Sequence, residues 1–317
     1  MAKAMTQAMA KTRTGLTKAQ APATIGLLCA TVVWGSAFVS MKQTLEAITP
    51  MYLLAFRFTI AAAFMAVVLL PRLRKLDAGG WKAGALLGFW LAASYITQTY
   101  GLRHTTASNN AFLTAIYVVV VPFLNIAFNK TRLRAAHLVA AAAAFGGIAL
   151  LSLKAAANAG AEAGMADAYP TLLFGLRLGD ALTILCGICF AVHIMFLGRH
   201  ARDRDPATLT AVQFATTAAI CWAAAPFVEG APPIAAIAPP AMLNLLYLSL
   251  ICTLFCFLMQ AVGQRRLPET LTSILMAFES VFGAAFSIAL LGDPLTPRIF
   301  AGFALLFGAA LLSILKH

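Results

Sequence analysis

The chain is short of charge. Asp, Glu, Lys and Arg make up 11% of its 317 residues, and only 11 residues are acidic. A soluble globular chain carries roughly 25% charged residues. Too few charges remain here to cover a water-facing surface, which excludes a soluble domain. The sequence also lacks a G-x4-G-K-[ST] phosphate loop and any segment able to fold as a soluble nucleotide-binding domain, so this chain alone is not an ATP-driven machine. There is no H-E-x-x-H pair. The five histidines (His104, His137, His193, His200 and His317) are scattered, and no nucleophile–base set falls at one depth. This argues against an intramembrane enzyme, and no cofactor or metal is expected. Six cysteines all fall in apolar stretches. Cys186 and Cys189 have the C-x-x-C spacing of a redox or metal pair, but no second such pair and no His cluster completes a site, so small polarizable packing residues are expected.

What the chain has in abundance is apolar length. Hydrophobic residues make up 61% of it and mean hydropathy is +0.85. The apolar runs reach the roughly 20 residues a helix needs to cross a bilayer. Ten spans are predicted, at about 22–41, 51–70, 83–101, 107–128, 135–153, 179–198, 207–228, 241–261, 268–290 and 297–315. A barrel would instead show segments of about ten alternating residues. The fold class is therefore an all-α polytopic membrane protein. Residues 1–21 form a basic cytoplasmic segment, 22–153 and 179–317 each hold five spans, and the Ala/Gly-rich stretch 154–178 links them outside the cytoplasm. The first apolar run is too long for a signal-peptide core and no A-x-A-like site follows it promptly, so it reads as an uncleaved helix. Leu28, before Cys29, is too bulky for a lipoprotein site.

Basic residues orient the spans. With the N-terminus inside, 17 of the 23 Lys and Arg fall in inside segments, among them Arg72, Arg74, Lys75, Lys82, Arg199, Arg202, Arg204, Arg265 and Arg266. Five fall outside (Lys42, Arg103, Lys154, Arg177 and Arg298), and Arg57 lies within a span. Positive charge favours the cytoplasmic side, which puts both termini in the cytoplasm. The net charge of +12 then belongs to one lipid-facing membrane surface, and no nucleic-acid partner is implied.

The two halves repeat. Trp34, Pro50 and Arg57 fall on Phe190, Pro206 and Gln213 at a common offset of 156, and Gln98 and Gly101 fall on Gln260 and Gly263 at an offset of 162. Five spans is an odd number, so the second half must be inverted relative to the first. The charges agree: the loop after the second span is strongly basic, and its counterpart after the seventh holds Glu229 and no Lys or Arg. Inverted halves place a solute site near the midplane where they meet, and rocking of the halves gives alternating access.

Several motifs in this order carry a resemblance. They are "WGSAF" in the first span, the Pro50-x6-Arg57 spacing, "TTASNNAFLTAIYVVVVPFL" in the fourth, "GDALTILCGICFAVHI" in the sixth, and "FESVFGAAFSIALLGDPLTPRIFAGFALLFGAALL" in the last two. Together they resemble the EamA-type transporters of the drug/metabolite transporter superfamily, over about 22–315. The resemblance implies ten helices in two inverted five-helix repeats around a central cavity, and export or uptake of small metabolites such as amino acids across the cytoplasmic membrane. One departure stands out. The family commonly has Glu-Pro in the ninth span, whereas this chain has Glu279-Ser280, which puts the proline kink in doubt.

Polar residues inside the spans are the site candidates. Glu279, about 11 residues into its span, is costly at that depth and should face the bundle interior, as a proton site, an anchor for a substrate amine, or a neutral packing acid. Arg57 could clamp a carboxylate, but its stem allows it to snorkel outward, and that or a structural pairing is the favoured reading. His193, Gln98, Gln260, Asn109, Asn110 and Tyr117 are polar groups that either line a cavity or tie helices together. Trp34 and Trp90 are the aromatic candidates. The expected partners are a small metabolite, the bilayer and, if Glu279 titrates, protons. A passive facilitator or uptake carrier of the same fold is the alternative.

Overall fold

The computed structural model describes residues 20–129, 138–139, 142–143, 145–147, 178–231, 238–291, 297, 300–302, 304–305, 308–309 and 312. Among them it is helical and contains no strand. The helices are α1 (Ala21–Thr44), α2 (Pro50–Leu73), α3 (Ala78–Arg103), α4 (Ala107–Thr114), α5 (Tyr117–Asn129), α6 (Leu178–Asp203), α7 (Pro206–Glu229), α8 (Pro239–Leu246), α9 (Cys256–Gln264), α10 (Glu269–Met276) and α11 (Phe278–Leu291). A π-helical stretch, Tyr247–Phe255, joins α8 to α9. Seven helical segments among the described residues are long and apolar enough to cross a membrane. The helix α3, 26 residues long, is not among the seven. Most of the fifth and tenth predicted spans, and the linker 154–177, lie outside the described residues.

Local chemistry sets the helix starts. Pro50, Pro206 and Pro239 occupy the first turn of their helices, where no intrahelical N–H bond is lost. Asp77 and Asp205 cap α3 and α7 by accepting from Gly80 N (3.0 Å) and Thr208 N (3.2 Å). At the far end of α7, Gly230 adopts φ 76°, a value that glycine supplies without a Cβ clash.

Two predicted spans are broken in the middle. The fourth tightens at Ala115–Ile116, where Ala115 N bonds to Phe112 O and Ile116 N to Leu113 O. The ninth breaks at Ala277 with no proline present, and Ser280 N bonds to Ala277 O. Ser280 Oγ donates to Ala111 O of α4 (2.8 Å). A side chain drawing on a neighbouring helix thus accompanies the break. Ala115 and Ala277 are 162 residues apart, the spacing that relates Gln98 to Gln260.

The packing is pairwise. The helix α2 lies against α7, α3 against α6 and α7, and α1 against α9 and α11, while the π segment packs on α2. In lipid the tails are as apolar as the helices, so close approach of small residues drives association. A Cβ on Gly35 of α1 would lie 2.4 Å from Phe282 Cβ of α11, and one on Gly88 of α3 would lie 2.6 Å from Gln213 O of α7. Large apolar side chains such as Phe64, Val67, Phe89, Phe227 and Leu243 point outward and suit a lipid surround.

Contacts between helix ends sort into two faces. On the basic face, Arg204 pairs with Asp77 (2.6 Å) and Arg202 with Glu269 (2.7 Å), and Arg72 approaches Asp205 (3.8 Å). The guanidinium of Arg204 hydrogen-bonded to Asp77 holds that carboxyl below the usual carboxylate range. On the opposite face, Lys42 donates to Leu102 O and Thr105 O (both 2.9 Å), closing the end of α3. There Glu229 accepts from Met51 N (2.9 Å), Tyr52 N (3.3 Å) and Tyr100 OH (2.6 Å), so the last residue of α7 caps the start of α2.

Candidate functional site

A narrow cavity lies between the helices. Helical spacing selects its walls. On α1, Trp34, Ala37, Phe38 and Met41 stand at i, i+3, i+4 and i+7 and therefore share a face. On α3, Tyr95 and Gln98 stand at i and i+3. Arg57 comes from α2, Phe190 from α6 and Phe257 from α9. The two helix breaks deliver the rest: Tyr117 follows the first, and Met276 and Glu279 flank the second. A break in a membrane helix is tolerated where protein buries it or a cavity adjoins it.

Arg57 is fully buried. It does not snorkel to the surface, which corrects the outward placement, and among the described residues its pairing is with a hydroxyl and an aromatic ring, with no carboxylate partner. Its Nε donates to Thr253 Oγ1, and its Nη1 contacts Met41 Sδ at 3.1 Å. Its Nη2 reaches Tyr95 OH at 3.4 Å, and the guanidinium carbon lies 4.7 Å from the Tyr95 ring centroid. Cation–π attraction and a neutral hydroxyl replace the acid that a buried cation usually requires. The π segment makes this possible: Thr253 Oγ1 donates five residues back to Leu248 O (2.8 Å), leaving its lone pair for Arg57, and Cys252 O accepts from Trp34 Nε1 (2.9 Å). Isolated π turns recur at functional sites.

Glu279 is 7% exposed and lines the same cavity. Its Oε1 accepts from Tyr117 OH at 2.9 Å, and no cation pairs with it among the described residues. Tyr117 and Glu279 are also 162 residues apart, the offset that relates Gln98 to Gln260 in the sequence. One cavity thus contains a guanidinium and a carboxyl that are not bonded to each other. Both can meet a ligand carrying charges of both signs.

The remaining candidates divide. Gln98 lines the cavity and donates to Thr114 Oγ1 (3.2 Å), and Trp34 and Tyr117 line it as well. Asn110 lies outside the lining and donates to Gln98 O (3.2 Å) and Thr183 Oγ1 (2.7 Å), tying α4 to α3 and α6. His193 and Gln260 are fully buried and also stand outside the lining. Trp90, too, does not contribute to it. Cys186 and Cys189 are free thiols buried in α6. Sequence reasoning missed Tyr95, Phe257, Met276 and Thr253. Tyr95 was within reach, being one turn before Gln98 on the same face. The role of Thr253 depends on a π register that residue spacing does not reveal.

A sequence model of the EamA-like transporter family matches residues 21–153 and 177–315. Two Archaeoglobus fulgidus proteins, each named an uncharacterized transporter, are similar along most of the chain. One is 28% identical over 293 residues, covering 92% of this chain and 86% of the relative. The other is 24% identical over 268 residues, covering 83% and 86%. A solved structure described only as the crystal structure of a protein superposes with a TM-score of 0.72 at 18% identity, covering 92% of this chain and 96% of that one, which speaks to the fold alone. With helices able to span a membrane and the family's pattern running through both halves, the chain belongs to the EamA-like transporter family.

Proposed function

We propose that the protein is a secondary transporter that exports a small zwitterionic metabolite of the amino-acid class across the cytoplasmic membrane. The observation that carries this reading is a guanidinium and a carboxyl that line one cavity without bonding to each other. Arg57 offers a planar fork for a carboxylate and Glu279 an acceptor for an ammonium group. The ring faces of Trp34, Tyr95, Phe190 and Phe257 border the space between and suit a side chain of modest size.

Transport proceeds by alternating access of two inverted five-helix halves with both termini in the cytoplasm. Three features support the inversion. The helix contacts come in matching pairs (α3 on α6 with α9 on α1, and α3 on α7 with the π segment on α2). Trp34 and Phe190, aligned in the repeat, line one cavity. The breaks at Ala115 and Ala277 fall at equivalent positions. The excess of Lys and Arg on one face supports its cytoplasmic placement. Glu279 gives a route to proton coupling: with no solute ammonium in place, a proton is the counter-charge that lets the carboxyl stay buried. Counterflow in proteoliposomes tests the proposal. Loaded vesicles should exchange a labelled amino acid, and an acid or an amine carrying only one of the two groups should compete weakly. Failure of every zwitterion to exchange would overturn the substrate class.

A further inference from the structure

Seven buried side-chain polar atoms among the described residues have no hydrogen-bond partner, and three of them belong to His193 (Nδ1), Gln213 (Nε2) and Gln260 (Oε1). Their side chains form two pairs, which meet through the backbone of α6 at Ile194. His193 Nε2 meets Gln213 Oε1 at 2.9 Å, Gln260 Nε2 donates to Gln264 Oε1 (3.1 Å), and Gln264 Nε2 donates to Ile194 O (2.9 Å). All four residues are fully buried. With Nε2–H donating to Gln213, the cluster still offers acceptors at His193 Nδ1 and Gln260 Oε1 and a donor at Gln213 Nε2. Buried polar groups in native structures are ordinarily satisfied, and a set of three left open calls for an explanation.

Depth supplies one. Gln213 stands seven residues past Pro206, as Arg57 stands seven past Pro50, so each is about 10 Å from its helix start, on opposite faces of the membrane. Gln260 likewise stands at the position of Gln98. In the first half these positions line the open cavity, and in the second they are packed shut. Phe257 stands between the two: it lines the cavity, while the His193 ring meets it edge-on at 6.0 Å and Phe214 does so at 5.9 Å. Beyond the cluster, the Arg202–Glu269 and Arg204–Asp77 pairs join the end of α6 to the starts of α10 and α3 across the basic face.

We infer that His193, Gln213, Gln260 and Gln264 line the basic-face half of the solute path, closed in this conformation, with Phe257 as the partition separating it from the cavity. The four side chains include no carboxylate, guanidinium or ammonium, so this half takes water and the hydrogen-bonding groups of an uncharged or zwitterionic polar solute, and leaves the holding of charge to Arg57 and Glu279. Opening requires the two ion pairs to part, after which solute and water satisfy the three open atoms. The inference rests on the transporter reading, but its test needs no substrate.

In a background with all six cysteines replaced, Gln213→Cys, Gln260→Cys and Ala37→Cys are made separately. Each is treated with membrane-impermeant sulfonatoethyl methanethiosulfonate in right-side-out and inside-out vesicles. Gln213→Cys and Gln260→Cys should react only from the basic face. Adding Asp77→Asn and Glu269→Gln should raise their rates about tenfold and lower that of Ala37→Cys, which should react from the opposite face. Elution from a sizing column and the retained reactivity of Ala37→Cys verify folding, and either glutamine position suffices if the other variant fails to fold. If both positions stay unreactive from the basic face with the ion pairs removed while Ala37→Cys reacts, the cluster is sealed packing and the inference fails. Labelling from the opposite face would overturn it equally. Either result would leave the substrate class of the cavity to the counterflow assay.

Discussion

Replacing Arg57 by Met separates a solute-binding role from a structural one. Arg57 is fully buried, and Met has similar length and no charge. Removing one partner of a buried ion pair costs about 3–5 kcal/mol because the other charge is stranded. Arg57 has no such partner among the described residues. Thr253 Oγ1 keeps its bond to Leu248 O but loses the one from Arg57 Nε, and the contacts with Met41 Sδ, Tyr95 OH and the Tyr95 ring go with it, about 1 kcal/mol each, set against the several kcal/mol that desolvating a lone cation costs. The expected change in stability is therefore within about 1 kcal/mol in either direction. The solute loses a charge-assisted hydrogen-bonding partner worth about 1.5–3 kcal/mol, or about a tenfold to 150-fold weaker apparent affinity. The assay pairs thermal unfolding of the detergent-purified protein with counterflow of labelled amino acids. A Tm within a few degrees of wild type with exchange lost is the expected result. A steep fall in Tm with activity lost in proportion, or a stable variant with undiminished exchange, would refute the reasoning.

Glu279→Gln should fold at normal abundance, because Gln can still accept from Tyr117 OH, and should show transport that is strongly reduced or has lost its pH dependence, read as initial exchange rates across a pH series. Glu229→Ala removes the carboxylate that caps α2 from the end of α7 and should lower stability by about 1–2 kcal/mol, measured as a Tm shift, with little effect on which solutes compete. Gly35→Val places a branched side chain where a Cβ alone would meet Phe282 Cβ at 2.4 Å; α1 and α11 must separate, and little monodisperse protein should be recovered after purification. Asp77 has a carboxyl pKa depressed by Arg204, so its contribution is present above the ordinary carboxylate pKa of about 4 and is lost as pH falls through the depressed value. Hydrogen-exchange protection at the start of α3, taken relative to the intrinsic rate at each pH, should fall on that acidification, and Asp77→Asn should abolish the step.

Much of this protein was decided by sequence alone. Scarcity of charge and the length of the apolar runs set the class, since a bilayer-spanning helix needs nothing more than apolar length with its backbone bonded internally. The common offsets of 156 and 162 pointed to a repeat, because helices in equivalent places would keep proline at their starts and polar groups at the same turn. Glu279 announced itself by being an acid where acids are expensive. Tertiary structure decided which way the polar residues faced and what they met. Arg57 reads as a snorkelling or paired residue because a long stem allows either. Only the packing of α2 against the π segment, with Tyr95 beneath the guanidinium, shows that it stays inside without an acid. The break at Ala277 has no proline to mark it, and rests on local i→i+3 bonding accompanied by a serine hydroxyl bonded to a neighbouring helix. Gln98 and Gln260 are indistinguishable as amides at matching positions. One lines a cavity and the other is fully buried outside that lining, because the packing of neighbouring helices, which residue spacing does not reveal, sets what each amide meets.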